Sequence, residues 1–227
     1  MLLPLAPDLW HVPHAFGANG IPVTTRMTVV RLPGRRLWLH SPVPVGEALR
    51  AELAALGTVC WIVAPSKTHH LFVRACAQAF PQAVVYGAPG LREKRPDLAA
   101  LQDLPPAEQA SWGPELAWLL FDGIPFANET LWFHHPSATL IVTDLVQWWP
   151  GDMPWRSRCY AVLTGVRRQL AVARTVRALV RDRAAARASA ERILGWPVAR
   201  VVMAHNAVIE TDAPAALRRA FAAFGVA

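Results

Sequence analysis

Short apolar runs of strand length alternate with segments of helical periodicity along this chain, and that alternation is what most restricts its fold. Residues 58–63, "TVCWIV", mix β-branched and aromatic side chains over the length of one strand, and Pro65 follows them. The next segment, "HLFVRACAQAF", has the period of a helix, with Ser66 or Thr68 as candidate N-cap residues. Blocks of this kind, joined without a linker, predict an α/β fold in which sheet packs against helices.

The remaining elements are predicted from the same signals. "MTVVRL" and "RLWLHS" indicate an N-terminal hairpin, and "ETLWFHH" and "ATLIVTDL" indicate a second one across the turn "HPSA". The helix "VGEALRAELAALG" should end at Gly57. The stretch "PGLREKRPDLAALQDLPP" is rich in charge and proline, which predicts a surface loop with at most one helical turn. A long helical region is predicted over residues 166–194, followed by the strand "VARVVMAH" and the helix "APAALRRAFAAF".

Composition places the chain among globular proteins. It has 227 residues, of which 53% are apolar and 17% are charged, which is enough material for a full core. No apolar run approaches the roughly 18–20 residues that span a bilayer, and "MLLPLAPDLW" lacks the basic start of a secretory signal. Cys60, Cys76 and Cys159 show no CxxC spacing, so we expect reduced thiols in a cytoplasmic protein without a membrane partner.

The net charge of +7 raises the question of nucleic-acid binding. Much of the excess lies between Arg156 and Arg192, but on one long helix these arginines would spread around the cylinder. Asp182 and Glu191 interrupt the run, and no aromatic residues alternate with the arginines as a stacking platform requires. The pattern favours a solvated helix face over a phosphate-binding surface, so we expect no specific nucleic-acid partner.

Several common catalytic motifs are absent from the sequence. It contains no GxxxxGK[ST], no GxGxxG after a strand and no GxSxG. P-loop, dinucleotide-binding and α/β-hydrolase functions therefore lack their key residues.

Residue types that bind metals follow several predicted strands. His69 and His70 come after "TVCWIV", Asp144 ends "TLIVTD" and His205 ends "RVVMAH". Each of these has a simpler explanation by itself, as a hydrogen-bonded loop residue or a helix cap. Because strands that end on one edge of a sheet bring such residues together, the set is equally consistent with a metal site.

Four segments of the chain are similar to the metallo-β-lactamase superfamily. They are "TRMTVVRLPGRRLWLHSPVPV", "VAPSKTHHLFV", "HPSATLIVTDL" and "ERILGWPVARVVMAHN". They resemble most an uncharacterised bacterial family within it, a domain of unknown function. The resemblance extends from Leu5 to the C-terminus. It implies one metallo-β-lactamase-like domain over residues 1–227, folded as an αββα sandwich.

The superfamily's H-x-H-x-D-H motif matches "PSKTHH" only in part. Its first two histidines fall on Pro65 and Lys67, its aspartate on His69 and its last histidine on His70. No histidine stands in "GIPFAN", where the superfamily usually has another ligand. The resemblance therefore implies that the first metal site of a binuclear enzyme has lost its ligands.

The second metal site keeps a complete set in this alignment. The resemblance assigns to it His69, His70, Asp144 and His205, which would hold one divalent ion, Zn²⁺ first and Fe²⁺ or Mn²⁺ as alternatives. His40 is expected near the same edge without binding the ion. His134 and His135 are expected to be exposed residues of the hairpin turn.

Lys67 suggests a further hypothesis about the lost site. Its ammonium can replace the charge of the missing metal, next to Asp144 or a substrate anion. The simpler alternative is an exposed loop lysine, and the sequence favours neither.

Two classes of function follow from the resemblance. In the first, the protein is a hydrolase of an unknown small-molecule ester, amide or phosphoester, with a metal-activated water that Asp144 orients and with Lys67 as a second catalytic group. In the second, it is a metal- or ligand-binding relative that has lost hydrolysis. The loop "QWWPGDMPW" could close the pocket with Trp148, Trp149 and Trp155, or its tryptophans could pack in the core.

Overall fold

Two β-sheets lie face to face, and helices cover their outer sides. The computed structural model describes residues 1–106 and 109–226. The strands are β1 (Leu3–Ala6), β2 (Leu9–Ala18), β3 (Ile21–Leu32), β4 (Arg36–His40), β5 (Thr58–Ala64), β6 (Val84–Gly87), β7 (Leu101–Asp103), β8 (Leu116–Leu120), β9 (Thr130–His134), β10 (Thr139–Val142), β11 (Arg200–Met203) and β12 (Val208–Ile209). The helices are α1 (Glu47–Leu56), α2 (Val73–Ala79), α3 (Leu91–Lys94), α4 (Trp155–Thr164), α5 (Arg174–Ala178), α6 (Arg183–Leu194) and α7 (Ala213–Phe221), with 3-10 turns at His135–Ser137 and Ala222–Phe224.

The first sheet contains seven strands in sequential order, β1 to β7. Strands β1 to β4 form an antiparallel meander. From β4 to β7 the strands are parallel, because α1, α2 and α3 provide the crossovers between them. The parallel half brings the carboxyl ends of β4 and β5 to one edge.

The second sheet contains five strands in the order β12-β11-β10-β9-β8. Strands β8, β9 and β10 are antiparallel neighbours, and β10 then pairs in parallel with β11 after the crossover through α4, α5 and α6. The carboxyl ends of β10 and β11 consequently lie side by side.

Three apolar layers hold this arrangement together. Between the sheets lies a tryptophan-rich layer that includes Trp38, Trp61, Trp112 and Trp132. On the outer face of the first sheet, apolar residues such as Leu39 and Ile62 pack against α1 and α2. On the outer face of the second sheet, α6 and α7 cover a larger cluster. These layers make the fold the αββα sandwich that the resemblance implied.

Most of the predicted elements are confirmed. The hairpins β3–β4 and β9–β10 form, and α1 ends at Gly57. Cys60, Cys76 and Cys159 are all free. None of the described helices has the length and apolar character needed to cross a bilayer.

The predicted long helix over residues 166–194 is wrong. Helix α4 begins earlier, at Trp155, and ends at Gly165, which has the left-handed backbone that commonly stops a helix. A non-helical segment and the short α5 follow, and α6 begins only at Arg183, where the Asp182 side chain accepts a hydrogen bond from the backbone of Ala185.

The predicted cap of α2 is also wrong. The helix begins at Val73, after Phe72, and has no side-chain cap. Ser66 instead closes a tight turn, since its Oγ accepts hydrogen bonds from the backbone N–H groups of Thr68 and His69. The histidine pair therefore lies on a structured loop that precedes the helix.

Candidate metal centre

Three of the predicted site residues meet where parallel strands end. His69 lies on the loop after β5, Asp144 follows β10 and His205 follows β11. In the register of the parallel pair, Val142 lies opposite Met203, so the residues two positions further on, Asp144 and His205, are also neighbours. The first sheet supplies one of the three side chains and the second supplies the other two.

The carboxylate of Asp144 lies between the two imidazoles. Its Oδ2 is 3.2 Å from His69 Nε2 and its Oδ1 is 3.1 Å from His205 Nε2. One potential ligand atom from each of His69, Asp144 and His205 falls within 4.8 Å of the others. Among the described residues, this is the group whose nitrogen and oxygen atoms converge as metal ligands do.

Both imidazoles are held by a second hydrogen bond on the opposite ring nitrogen. His205 Nδ1 donates to the backbone oxygen of Thr24 at 2.9 Å, and His69 Nδ1 is 3.0 Å from Ser41 Oγ. Such partners fix the ring orientation and leave Nε2 directed at the centre of the site. Thr24 belongs to β3 and Ser41 follows β4, so the first sheet orients both rings.

The same contacts shift the proton affinities of the group. Burial would raise the pKa of Asp144, but the positive charge and hydrogen bonds of His69 and His205 hold it well below its usual range. Burial would lower the pKa of His205, but its hydrogen bond to Asp144, that residue's charge and the bond to Thr24 together raise it. The centre is therefore built around an ionised carboxylate.

A second buried carboxylate supports the loop that carries Asp144. Glu129 immediately precedes β9 and accepts backbone hydrogen bonds from Thr143 at 2.6 Å, Asp144 at 3.0 Å and Leu145 at 2.9 Å. Burial, with the nearby charge of Asp144, raises the pKa of Glu129 to about 7 even though these donors favour its ionised form. Sequence analysis missed this residue, because nothing local to "NET" shows that its acid is buried.

A buried arginine supports the loop that carries His205. Arg26 of β3 donates to the backbone oxygens of Met203, Asn206 and Ala207, and its Nε donates to His11 Nδ1 at 2.9 Å. Burial lowers the pKa of Arg26 to about 10, so it remains a cation at neutral pH. Arg26 and Glu129 thus hold the two loops of the second sheet in place with opposite charges.

The three residues form one wall of a cavity of about 310 Å³. The N-terminal hairpin β2–β3 contributes apolar residues to it, among them Phe16, Ile21 and Val23. On another side lie Trp149 and Tyr160, whose rings contact each other with centroids 4.9 Å apart. The cavity is therefore mostly apolar, with its polar groups concentrated at the His–Asp–His cluster.

Solved structures of the same architecture cover almost the whole chain. A metallo-β-lactamase from Erythrobacter litoralis matches 99% of this chain and 95% of its own with a TM-score of 0.71 and 13% identity. One from Pontibacter korlensis matches 99% and 98%, with a TM-score of 0.66 and 12% identity. The chain has the metallo-β-lactamase fold.

Three further comparisons were made with known proteins. The flavodiiron core of Flv1 from Synechocystis sp. PCC6803 matches 99% of this chain and 60% of its own, with a TM-score of 0.66 and 11% identity. Residues 7–92 match the family model of a domain of unknown function, DUF4336, which agrees with the resemblance found in the sequence. No curated protein matches the chain in sequence.

His70 does not join the cluster within this metallo-β-lactamase fold. Its Nδ1 lies 2.7 Å from Arg95 Nη1, which also contacts its backbone oxygen, and it borders the cavity beside the cluster. Burial and the charges of Arg95 and Lys94 lower the pKa of His70. The predicted ligand role of His70 thus has no support in this geometry, whereas His69 lies at the centre of the cluster.

Lys67 is not where the substitute-charge hypothesis requires it. Its Nζ donates to the backbone oxygen of Pro125 at 2.9 Å, and the ion-pair partners of Asp144 among the described residues are His69 and His205. The side chain that does reach the carboxylate from this loop is Thr68, whose Oγ1 donates to Asp144 Oδ2 at 3.0 Å. The hypothesised contact between Lys67 and Asp144 is therefore not formed.

Hydrogen bonds connect the two segments that would carry the histidines of the lost first metal site. The Pro65 carbonyl accepts from both the N–H and the hydroxyl of Thr130, at 2.7 and 3.0 Å. The Lys67 N–H donates to the carbonyl of Ala127 at 2.8 Å. The loop after β5 is thus hydrogen-bonded directly to the segment before β9, where the superfamily's remaining histidine would lie.

The other predicted neighbours have separate environments. His40 is fully buried and stacks on Trp38, and burial lowers its pKa to about 3. His134 is buried at the end of β9 while His135 is exposed, so only the second is the predicted turn residue. Of the loop tryptophans, Trp149 lines the cavity, Trp148 packs on the outer core of the second sheet and Trp155 is exposed.

Proposed function

We propose that His69, Asp144 and His205 bind one divalent metal ion and that the protein is a hydrolase of a small ester, amide or phosphoester. The observation that carries the proposal is the convergence of two imidazole nitrogens and a carboxylate at the wall of a cavity of about 310 Å³. In sites of this kind, three protein ligands leave a coordination position open for the reacting molecule.

The chemistry of the donor set fits a divalent ion. Two neutral imidazoles and one carboxylate suit Zn²⁺ in catalytic sites, and the same set suits Fe²⁺. The hydrogen bonds from Ser41 and Thr24 to the far ring nitrogens orient His69 and His205 as ligands require. When bound, the ion would supply Lewis-acid polarisation of a carbonyl or phosphoryl oxygen.

The chain's own residues would select and hold the substrate. Phe16, Ile21 and Phe72 give the cavity apolar walls that exclude water from around the polar cluster. Thr68 and Gln147 both donate to Asp144, at 3.0 and 3.4 Å, and so keep its carboxylate oriented. The substrate class that fits is a molecule with an apolar body and one hydrolysable polar group.

The second candidate function is a metal- or ligand-binding protein without hydrolytic activity. The observation in its favour is that Pro65 and Lys67 stand where the first site of the superfamily has histidines. The backbone of Pro65 is hydrogen-bonded to Thr130, and that of Lys67 is hydrogen-bonded to Ala127. A protein of this kind would keep the ion and the cavity but would turn over no substrate.

Metal content tests the proposed site. Protein purified without chelator should contain one ion per chain, and added Zn²⁺ should raise the melting temperature, because a ligand that binds only the folded state stabilises it. His205→Ala should lose both the ion and the shift, whereas His135→Ala, at an exposed histidine outside the cluster, should keep both. Two ions per chain, or none in either protein, would contradict the site.

Hydrolysis of model esters, amides and phosphoesters separates the two functions. Metal-dependent turnover that is lost in His205→Ala supports the hydrolase. A stoichiometric ion with no turnover of any of the three classes supports the binding protein.

A further inference from the structure

Helix α4 carries an apolar stripe on its solvent side. The stripe consists of Trp155, Cys159, Val162 and Leu163, spaced as one face of a helix. Trp155 and Leu163 are each 70% exposed and Val162 is 56% exposed, and Cys159 is exposed as well. Exposed apolar side chains that are contiguous on one helix commonly mark an interaction surface.

The other face of α4 belongs to the core and to the cavity. Ser157, Ala161 and Thr164 are buried, and Tyr160 lines the cavity. Ser157 Oγ also donates to the carbonyl of Pro22 at 2.5 Å, which fixes the helix against the tip of the N-terminal hairpin. Because its inner face is fixed in this way, α4 presents the stripe to solvent as a rigid surface.

Arginines border the stripe on both flanks and at its C-terminal end. At 100° per residue, Arg156 and Arg158 fall on its two flanks, and both are exposed. Arg174 reaches its C-terminal end, where Nη1 donates to the carbonyl of Leu163 at 3.2 Å. Residues 153–181 contain no Asp or Glu, and their arginines are Arg156, Arg158, Arg167, Arg168, Arg174, Arg177 and Arg181.

We propose that this stripe docks the protein on the surface of an anionic lipid bilayer. A short helix with Trp and Leu on its exposed face and arginines on both flanks can insert the apolar side chains at the acyl boundary. The long arginine side chains then reach the lipid phosphates beside the helix. The docking is peripheral, so it does not require a membrane-spanning segment, which none of the helices in residues 1–106 and 109–226 provides.

The charge pattern argues against a second copy of this chain as the occupant. A two-fold contact through α4 would bring the flanking arginines of both copies together with no acid on either helix to offset them. One helix of ten residues is also small beside the roughly 800 Å² that each partner buries in a stable interface. An anionic lipid surface complements both the charge and the size of the stripe.

Vesicle flotation tests the proposal on the full-length protein. The wild-type chain should float with vesicles of phosphatidylcholine mixed with an equal part of phosphatidylglycerol, and it should not float with phosphatidylcholine alone. Leu163→Glu should weaken binding roughly tenfold or more through loss of apolar insertion. Arg158→Glu should weaken it at least roughly fivefold through reversal of one lipid-facing charge.

Two matched controls distinguish an effect of this stripe from a general effect of exposed apolar area or of net charge. Phe126→Glu changes an apolar residue that is 58% exposed on a different segment, and Arg218→Glu changes an exposed arginine of α7. Both should float like the wild type. All four variants should keep the metal content of the wild type, so the outcome is independent of the proposed metal site.

Three results of the flotation experiment would overturn the proposal. They are no flotation of the wild type, equal flotation with neutral vesicles, and equal losses in the variants and their controls. Dimerisation without vesicles that Leu163→Glu abolishes would also overturn it, by assigning the stripe to a second copy. An environment-sensitive dye on Cys159, in a Cys60→Ala background, should report transfer to an apolar medium only when anionic vesicles are added.

Discussion

Glu129 shows how a single residue can shape the site without contacting anything that binds there. Its two carboxylate oxygens accept the backbone N–H groups of Thr143, Asp144 and Leu145, which fixes the conformation of the loop at the end of β10. Because the residue is buried, no water can replace those bonds when they are lost. The position of the Asp144 carboxylate therefore depends on a second acid that does not itself line the cavity.

Glu129→Gln should lower both stability and metal retention. The side-chain amide nitrogen of the glutamine would face a backbone N–H group that the carboxylate now accepts. The buried donors left without an acceptor should lower the free energy of unfolding by about 1–3 kcal/mol. Loss of a supporting residue of this kind typically weakens metal binding by about 10–100-fold. Urea unfolding and zinc competition titration measure the two effects.

Glu210→Gln is the control for this experiment, because Glu210 is exposed. It should change neither quantity. Equal metal affinity in Glu129→Gln and wild type would show that the loop is held without the carboxylate.

At the level of single residues, the sequence predicts which side chains converge where strand ends decide their position. His69, Asp144 and His205 each follow an apolar strand, and their side chains meet in the structure. The direction of the neighbouring side chains could not be predicted, because it depends on partners that are distant in sequence. His70 turns to Arg95, and Lys67 turns to the carbonyl of Pro125.

At the level of elements, the junction between α1 and β5 is set by a close approach of two backbones. A Cβ atom added at Gly57 would overlap the carbonyl oxygen of Arg35. The Thr58 N–H donates to that same oxygen at 2.9 Å, so the oxygen cannot move away without breaking the entry to β5. Gly57 is therefore required for space as well as for ending the helix.

Gly57→Ala should destabilise the fold by about 3 kcal/mol or more, as overpacking against backbone does. Gly46→Ala is the matched control at the other end of α1, because nothing lies within 4 Å of its added Cβ. That variant should cost only about 0.5–1 kcal/mol, because Gly46 is the N-cap of α1 and alanine is a poorer N-cap residue than glycine. Thermal unfolding of both variants measures the difference, and similar melting temperatures for the two would refute the close-approach argument.

Strands β1 and β2 were missed because proline obscures them. Pro4, Pro7 and Pro13 lie within or between them, and proline within a run usually argues against a strand. The structure resolves this conflict, since β1 pairs with β2 only from Leu9 to His11. Pro13 therefore lies in the part of β2 that pairs with β3 but not with β1. A proline there need not remove a hydrogen bond between strands.

At the level of the whole molecule, buried histidines should make the fold sensitive to acid. Burial lowers the pKa of His134 to about 4 and that of His40 to about 3, and burial with the charge of Arg26 lowers that of His11 to about 4. In the unfolded chain each histidine titrates near 6.5. Between these values these three histidines bind more protons in the unfolded state, so their contribution to stability falls as the pH decreases below about 6.5.

His134→Gln should reduce this acid sensitivity. The variant removes one histidine that takes up a proton when the protein unfolds in mild acid. Between pH 7 and pH 5 its free energy of unfolding should therefore fall by roughly 1–2 kcal/mol less than that of the wild type. Urea unfolding at the two pH values measures it. The control is His135→Gln, which removes an exposed neighbour and should keep the wild-type slope. An unchanged slope in His134→Gln would show that this histidine is not held neutral in the fold.

The placement of the three proposed ligands has a consequence for how the protein is made. His69 comes from the first sheet, Asp144 from the middle of the second and His205 from a strand added late in the chain. During synthesis on the ribosome, the ion can have its full set of ligands only after β11 has emerged and paired with β10. Capture of the proposed ion would therefore wait for β11, and a nascent chain stalled before that strand would carry two of the three proposed ligands and no completed site.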